Sequence, residues 1–126
     1  MLPFIQKFKR GIEKLENVST VFTPPKRWFS TGNYALNRII SGSYKRAIPE
    51  GRLSAFVGPS AAGKSYIVCN IIREAQREGT FVLVLDSENA LDPKFISRAG
   101  ASIAEDKLLY AQVVTIQDVT AVLSEF

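Results

Sequence analysis

A chain of 126 residues, 46% hydrophobic and 22% charged, is long enough to bury one core and is neither disordered nor fibrous in composition. It contains no histidine, which excludes an imidazole base or a His-ligated metal, and its single cysteine, Cys69, excludes a disulfide framework and a structural zinc site. The net charge of +4 is concentrated early, where Lys7, Lys9, Arg10, Lys14, Lys26, Arg27, Arg38, Lys45, Arg46 and Arg52 face only Glu13, Glu16 and Glu50.

Such a basic segment can meet phosphate, an acidic membrane surface or an acidic partner; a solvated helix face is the plainer reading. No apolar run is long enough to cross a bilayer, and the first residues lack the pattern of a secretory signal. The expected location is the cytoplasm.

Residues 3–15 place Phe4, Ile5, Phe8, Ile12 and Leu15 on one helical face and most of the basic residues on the other. Thr23-Pro24-Pro25 then breaks regular structure. This predicts an amphipathic arm and linker over residues 1–27, whose apolar stripe must dock on its own domain, a neighbouring subunit or a membrane surface. From residue 28 onward the chain reads as the body of the protein. Tyr34, Ala35, Leu36, Ile39 and Ile40 predict a short helix closed by Gly42, and Ile48-Pro49-Glu50-Gly51 predicts a tight turn.

A strand–loop–helix rhythm follows. Residues 53–57 read as a short buried strand leading into a glycine-bearing loop. A helix comes next with Ile67, Val68, Ile71, Ile72 and Ala75 facing inward, ending at Gly79. Phe81-Val82-Leu83-Val84-Leu85 is apolar throughout, as expected for a strand buried on both faces. A short helix near residues 95–99, a third strand over 108–114 and a helix opened by Thr115-Ile116-Gln117-Asp118, which resembles a capping box, complete the pattern. The alternation predicts an α/β fold with a parallel sheet. Three strands with two open edges, and a last helix without a stop signal, suggest a fragment or truncated product of a longer protein.

The loop Gly58-Pro59-Ser60-Ala61-Ala62-Gly63-Lys64-Ser65 matches the phosphate-binding pattern G-x-x-x-x-G-K-[ST] in full. Its glycines let successive N–H groups face phosphate oxygens, and the following helix presents its positive end to the same anion. Lys64 reaches the β- and γ-phosphates and counts as a catalytic candidate; the Ser65 hydroxyl is the candidate Mg²⁺ ligand. Tyr66 completes this nucleotide-binding set. At the carboxyl end of residues 81–85, Asp86 and Glu88 are candidates for activating an attacking water, or else they cap the next helix.

Asp86-Ser87-Glu88-Asn89-Ala90-Leu91-Asp92-Pro93 resembles the D-A-E-x-A-L-D-P stretch of bacterial RecA recombinases, at a similar distance after the phosphate loop. Ser30-Thr31-Gly32 and Ile48-Pro49-Glu50-Gly51-Arg52 resemble the same family's lead-in. Ser41-Gly42 and Gly58-Pro59-Ser60 are closer to the UvsX-like recombinases of T-even-type phages. The resemblance spans roughly residues 28–118. It implies a RecA-like P-loop NTPase core, of which residues 28–126 are the amino-terminal portion, with ATP and Mg²⁺ as cofactors. It further implies that Glu88 activates the attacking water, that Asp92 hydrogen-bonds the adenine amino group, and that Phe95 stacks on adenine where the bacterial family has tyrosine. The amino-terminal helix would pack on an adjacent protomer to build a filament on single-stranded DNA for homologous pairing, strand exchange and repair, in a bacterial or phage-infected cell. The family's second metal-site aspartate and its DNA-binding loops have no counterpart after Val114, so this chain alone should hydrolyse little. Two other readings stay open: a RecA-fold helicase or loader motor, and a non-catalytic ATP-binding or decoy module.

Overall fold

A computed structural model of the chain describes residues 2–16, 18 and 22–126. Met1 and parts of the linker predicted within residues 1–27 lie outside the described residues.

The arm forms α1 (Leu2–Ile12), with no buried residue; Phe4, Ile5, Phe8 and Leu15 are exposed, and the Phe4 and Phe8 rings stack 6.3 Å apart. The amphipathic pattern sufficed for the helix, and among the described residues its apolar stripe stays largely uncovered. No helix among the described residues is long and apolar enough to cross a membrane.

The body opens with β1 (Trp28–Phe29), which pairs antiparallel with β2 (Ile48–Pro49) on either side of α2 (Tyr34–Ser41). Asn33 caps the start of α2 by accepting from the Leu36 N–H, and Gly42 closes it in the left-handed conformation, as expected. The predicted turn is narrower than the sequence suggests: Ile48 and Pro49 are strand, and Glu50-Gly51 makes the turn. Asn37 holds this module together. Wholly buried, it accepts from the Thr31 N–H (2.9 Å) and hydroxyl (2.6 Å) and donates to Ser30 Oγ (2.9 Å) and the Tyr44 carbonyl (2.8 Å).

The second part of the body holds α3 (Lys64–Arg77), β3 (Val82–Asp86), α4 (Pro93–Arg98), β4 (Leu108–Gln112) and α5 (Ile116–Glu125). β3 and β4 pair in parallel, Val82 opposite Leu108 through Asp86 opposite Gln112. Side chains at 82, 84 and 108 share one sheet face, as the two-residue period of strands requires, and pack against α3 and α4. The core there is Cys69, Ile72, Ile96, Ala99, Ala101 and Leu108, with Val82, Val84 and Leu91 against it. On the other face Leu109 meets Val122 and Phe126 of the last helical segment around an open concavity, and Phe126 stacks on Phe81 (5.9 Å). Gln76 ties α3 to the approach of β4, donating to the Ser102 carbonyl (2.8 Å) and accepting from its N–H (2.7 Å). Arg27 ties the linker to the end of α3 through the Glu78 carbonyl (2.9 Å) and Thr80 Oγ1 (2.9 Å).

Three expectations need correction. Residues 53–57 form no strand, and Leu53 and Val57 are 100% and 94% exposed. A strand exists only with a neighbour to complete its ladder, and no strand lies beside this segment among the described residues. The inward face of α3 is rotated: Cys69, Asn70, Ile72 and Ala75 are buried while Val68 is exposed, because the core lies only on the β3 and α4 side. β3 is half-buried at residues 82–85 rather than sealed on both faces, and Phe81 before it is exposed, since β3 pairs with β4 alone.

Two outcomes test this description. Asn37→Ala leaves the buried Thr31 N–H without an acceptor, while the Thr31 hydroxyl keeps the Asn33 carbonyl (3.2 Å), and should cost about 2 kcal/mol, read as a lower urea midpoint followed by Trp28 fluorescence. In the α5 capping box, Thr115 accepts from the Asp118 N–H while Asp118 accepts from the Thr115 and Val114 N–H groups. The Thr115 side chain, followed by the Thr115 and Val114 N–H groups, holds the Asp118 carboxyl below its usual range. The lowered folded value means the stabilisation is present above the unfolded pKa of about 3.9 and is lost as pH falls below it. Thermal unfolding from pH 6 to pH 2.5 should therefore fall less steeply in Asp118→Asn than in the parent chain.

Candidate functional site

Residues 58–65 run into α3 as a tight loop. Gly63 stands at the helix N-cap with φ 89°, a left-handed conformation that costs glycine nothing, and contributes no side-chain cap. The first N–H groups of α3 thus keep their donors free of any cap, as an anion-binding helix end requires. Ala61 also has a positive φ of 59°. A non-glycine residue held there stores a little strain, a feature that clusters at ligand-binding loops. By contrast Gly58 has room for a Cβ, with the nearest atom 3.8 Å away, so of the two glycines in the motif only Gly63 is required by backbone conformation.

Lys64 folds back over the loop, its ammonium donating to the carbonyls of Gly58 (2.8 Å) and Pro59 (2.7 Å). Ser65 lies beside it in the first turn of α3, exposed. Ala61, Ala62, Gly63, Lys64, Ser65, Tyr66 and Phe95 together line an open concavity of ≈ 410 Å³. Tyr66 and Phe95 meet edge to face with centroids 6.4 Å apart. Phe95, predicted from a distant stretch of sequence, is thereby brought to the phosphate loop; Pro59 and Ser60 are exposed on the loop and do not line the concavity.

The acidic stretch after β3 divides into separate roles. Asp86 is 8% exposed and accepts from the N–H groups of Glu88 (3.0 Å) and Leu91 (3.0 Å) and from the Tyr110 hydroxyl (3.0 Å). The Leu91 N–H, opposed by desolvation and aided by Tyr110 and Glu88, holds its carboxyl below the usual range. A carboxylate so occupied is a poor proton acceptor, which removes Asp86 from the two base candidates. Glu88 remains, exposed at the turn. Asp92 caps α4: its Oδ1 accepts from the Lys94 N–H (2.7 Å), with Pro93 in the first turn. The helix-capping role offered as the alternative for Asp86 and Glu88 belongs instead to Asp92.

Sequence reasoning missed Tyr110, whose hydroxyl reaches Asp86 from the neighbouring strand. For Tyr110 the available signal was a lone aromatic in an apolar strand, which reads as core. Among the described residues no cluster of three or more His, Cys, Asp or Glu could hold a metal. Mg²⁺ bound with nucleotide takes only one or two protein groups and fills its other positions with phosphate oxygens and water, so the donor set centred on the Ser65 hydroxyl fits it.

The sequence profile of the RecA N-terminal domain matches residues 8–122. Proteins named RecA are similar over most of the chain. That of Corynebacterium jeikeium (strain K411) is 36% identical over 90 residues, covering 71% of this chain and 22% of that protein. That of Rhodopirellula baltica is 34% identical over 83 residues, 66% of this chain and 21% of the relative. That of Streptococcus pyogenes serotype M49 is 36% identical over 84 residues, 66% and 21% respectively. The chain spans about a fifth of the length of these curated relatives. With a family profile that runs from the amphipathic arm to the last helix, the chain belongs to the RecA recombinase family as part of its amino-terminal domain.

Proposed function

We propose that residues 28–126 are the ATP-binding portion of a RecA-like P-loop core in a DNA-dependent ATPase that assembles on single-stranded DNA and drives homologous pairing, strand exchange and repair. The observation that carries this reading is the meeting of the phosphate loop with Tyr66 and Phe95 around one concavity. The loop supplies the uncapped end of α3 and the Lys64 ammonium for phosphates; Phe95 supplies a ring face for adenine. An incoming phosphate offers Lys64 charged oxygens in place of the two loop carbonyls it now holds, a stronger acceptor for the same donor. Gly58, Pro59, Ser60, Ala61, Ala62, Gly63, Lys64, Ser65 and Tyr66 form the nucleotide cradle.

Ser65 would hold Mg²⁺, which when bound neutralises charge on the β- and γ-phosphates. Glu88 orients and deprotonates the attacking water, the role left to it once Asp86 is engaged in the turn. Asp92 keeps its cap with one oxygen and offers the other to the adenine amino group. DNA contacts come from segments other than residues 1–126, and the site of action is the cytoplasm of a bacterial or phage-infected cell. The phage-type branch is supported by Ser41-Gly42 and Gly58-Pro59-Ser60. The arm, residues 1–27, mediates self-association: Phe4, Ile5, Phe8, Ile12 and Leu15 make the docking stripe, and its exposure supports a partner outside the chain.

Lys64→Ala should weaken binding of a fluorescent ATP analogue by about tenfold or more, the loss of one charge-assisted contact. Undiminished binding refutes the cradle. Glu88→Gln should leave that binding intact and lower ATP turnover by about 10²-fold, the contribution of a positioned general base. Deleting residues 1–20 should abolish self-association measured by sedimentation velocity; an unchanged distribution would sink the role of the arm.

A further inference from the structure

The turn that carries Glu88 is built around one carboxylate. Asp86, the last residue of β3, uses both oxygens on it: Oδ1 accepts from the Glu88 N–H and Oδ2 from the Leu91 N–H, each at 3.0 Å. Between these two bonds the backbone turns through Asn89 at φ 53°, a left-handed conformation that asparagine tolerates better than most residues. The carboxylate is itself held from the adjacent strand. Tyr110 of β4 donates its hydroxyl to Asp86 Oδ2 at 3.0 Å, and the same hydroxyl lies 3.4 Å from Asn89 Oδ1. Parallel pairing sets this up, because Tyr110 sits opposite Val84, two places before Asp86 and on the same sheet face.

We propose that Asp86 and Tyr110 are positioning residues for Glu88, with the Tyr110 hydroxyl fixing the carboxylate that sets the backbone at position 88. This rests on the reading of Glu88 as the base that activates water. The Glu88 side chain is exposed and makes no hydrogen bond among the described residues, so the conformation of the turn governs where its carboxylate points. A reacting group displaced by about 1 Å can lose on the order of 10²-fold in rate, so a clamp on the turn acts directly on turnover. Tyr110 is 36% exposed, and phenylalanine in its place keeps the ring and deletes only the donor.

The test uses the complete protein and compares ATP turnover in the parent, Tyr110→Phe, Glu88→Gln and the double variant. Tyr110→Phe should lower kcat about tenfold, the loss of one hydrogen bond to a charged group, with KM for ATP moving less than about twofold. Amide exchange over residues 87–91 should quicken, and the double variant should be no slower than Glu88→Gln alone. Asp86→Asn approaches the clamp from the other side and should lower kcat at least as far while still binding the fluorescent ATP analogue. An unchanged kcat in Tyr110→Phe overturns the proposal. So does an equal further loss in the Glu88→Gln background, since Tyr110 would then act independently of Glu88. If Glu88→Gln itself keeps the parental rate, the base assignment fails first and the positioning role falls with it; that outcome shows in the single variant alone and is distinguishable from failure of the clamp.

Discussion

The parallel pairing of β3 with β4 is the constraint on which the described site depends. It joins two segments separated by α4 and its flanking loops, and it aligns Val82, Val84 and Leu108 on the face that receives Cys69, Ile72, Ile96 and Ala99. That burial fixes α3 and α4 on one side of the ladder. Because the phosphate loop is the entrance to α3 and Phe95 lies on α4, the same packing brings the loop and the aromatic ring to one concavity. The ladder also sets Tyr110 beside the end of β3, where Asp86 organises the turn. The geometry of the candidate site and core packing are therefore one problem here: a shift of register by one residue would move every core side chain to the opposite face and take Tyr110 away from Asp86.

The charged groups of the phosphate loop and of the acidic stretch after β3 are held in different ways. The end of α3 has donors and no cap, and Lys64 is retained against the loop by two carbonyls instead of being left to wander in solvent. In the acidic stretch after β3, one acid is buried and spent on structure, one caps a helix, and one is exposed. Three carboxylates within seven residues, indistinguishable by type, are separated by what donates to them. That division assigns Asp86 to architecture and Asp92 to the start of α4, and leaves Glu88 exposed at the turn.

The apolar surfaces left open have a common physical cause. α1, residues 53–57 and the outer face of α3 at Val68 each carry the pattern of a buried element, yet each lies exposed. Apolar periodicity states that a segment can be buried; it does not supply what covers it. The 53–57 segment shows the point most sharply, since strand structure belongs to a pair and its sequence describes one member only.

Local signals determined much of this protein. The periodicity of residues 3–15 specified α1; Asn33 and Gly42 bounded α2; Thr115 with Asp118 opened α5; and the full match at residues 58–65 specified a loop that leads into a helix. Each is decided by neighbours within four residues, so each was legible in the sequence. The family, too, was legible, because Asp86 to Pro93 follows the phosphate loop in a pattern that few chains share. The tertiary structure alone decided which face of α3 turns inward, that Asn37 and Asp86 are buried hubs, and that Tyr110 is a donor rather than core filling. Those outcomes rest on contacts between residues far apart along the chain, such as Tyr110 with Asp86 and Gln76 with Ser102, whose geometry no local pattern encodes.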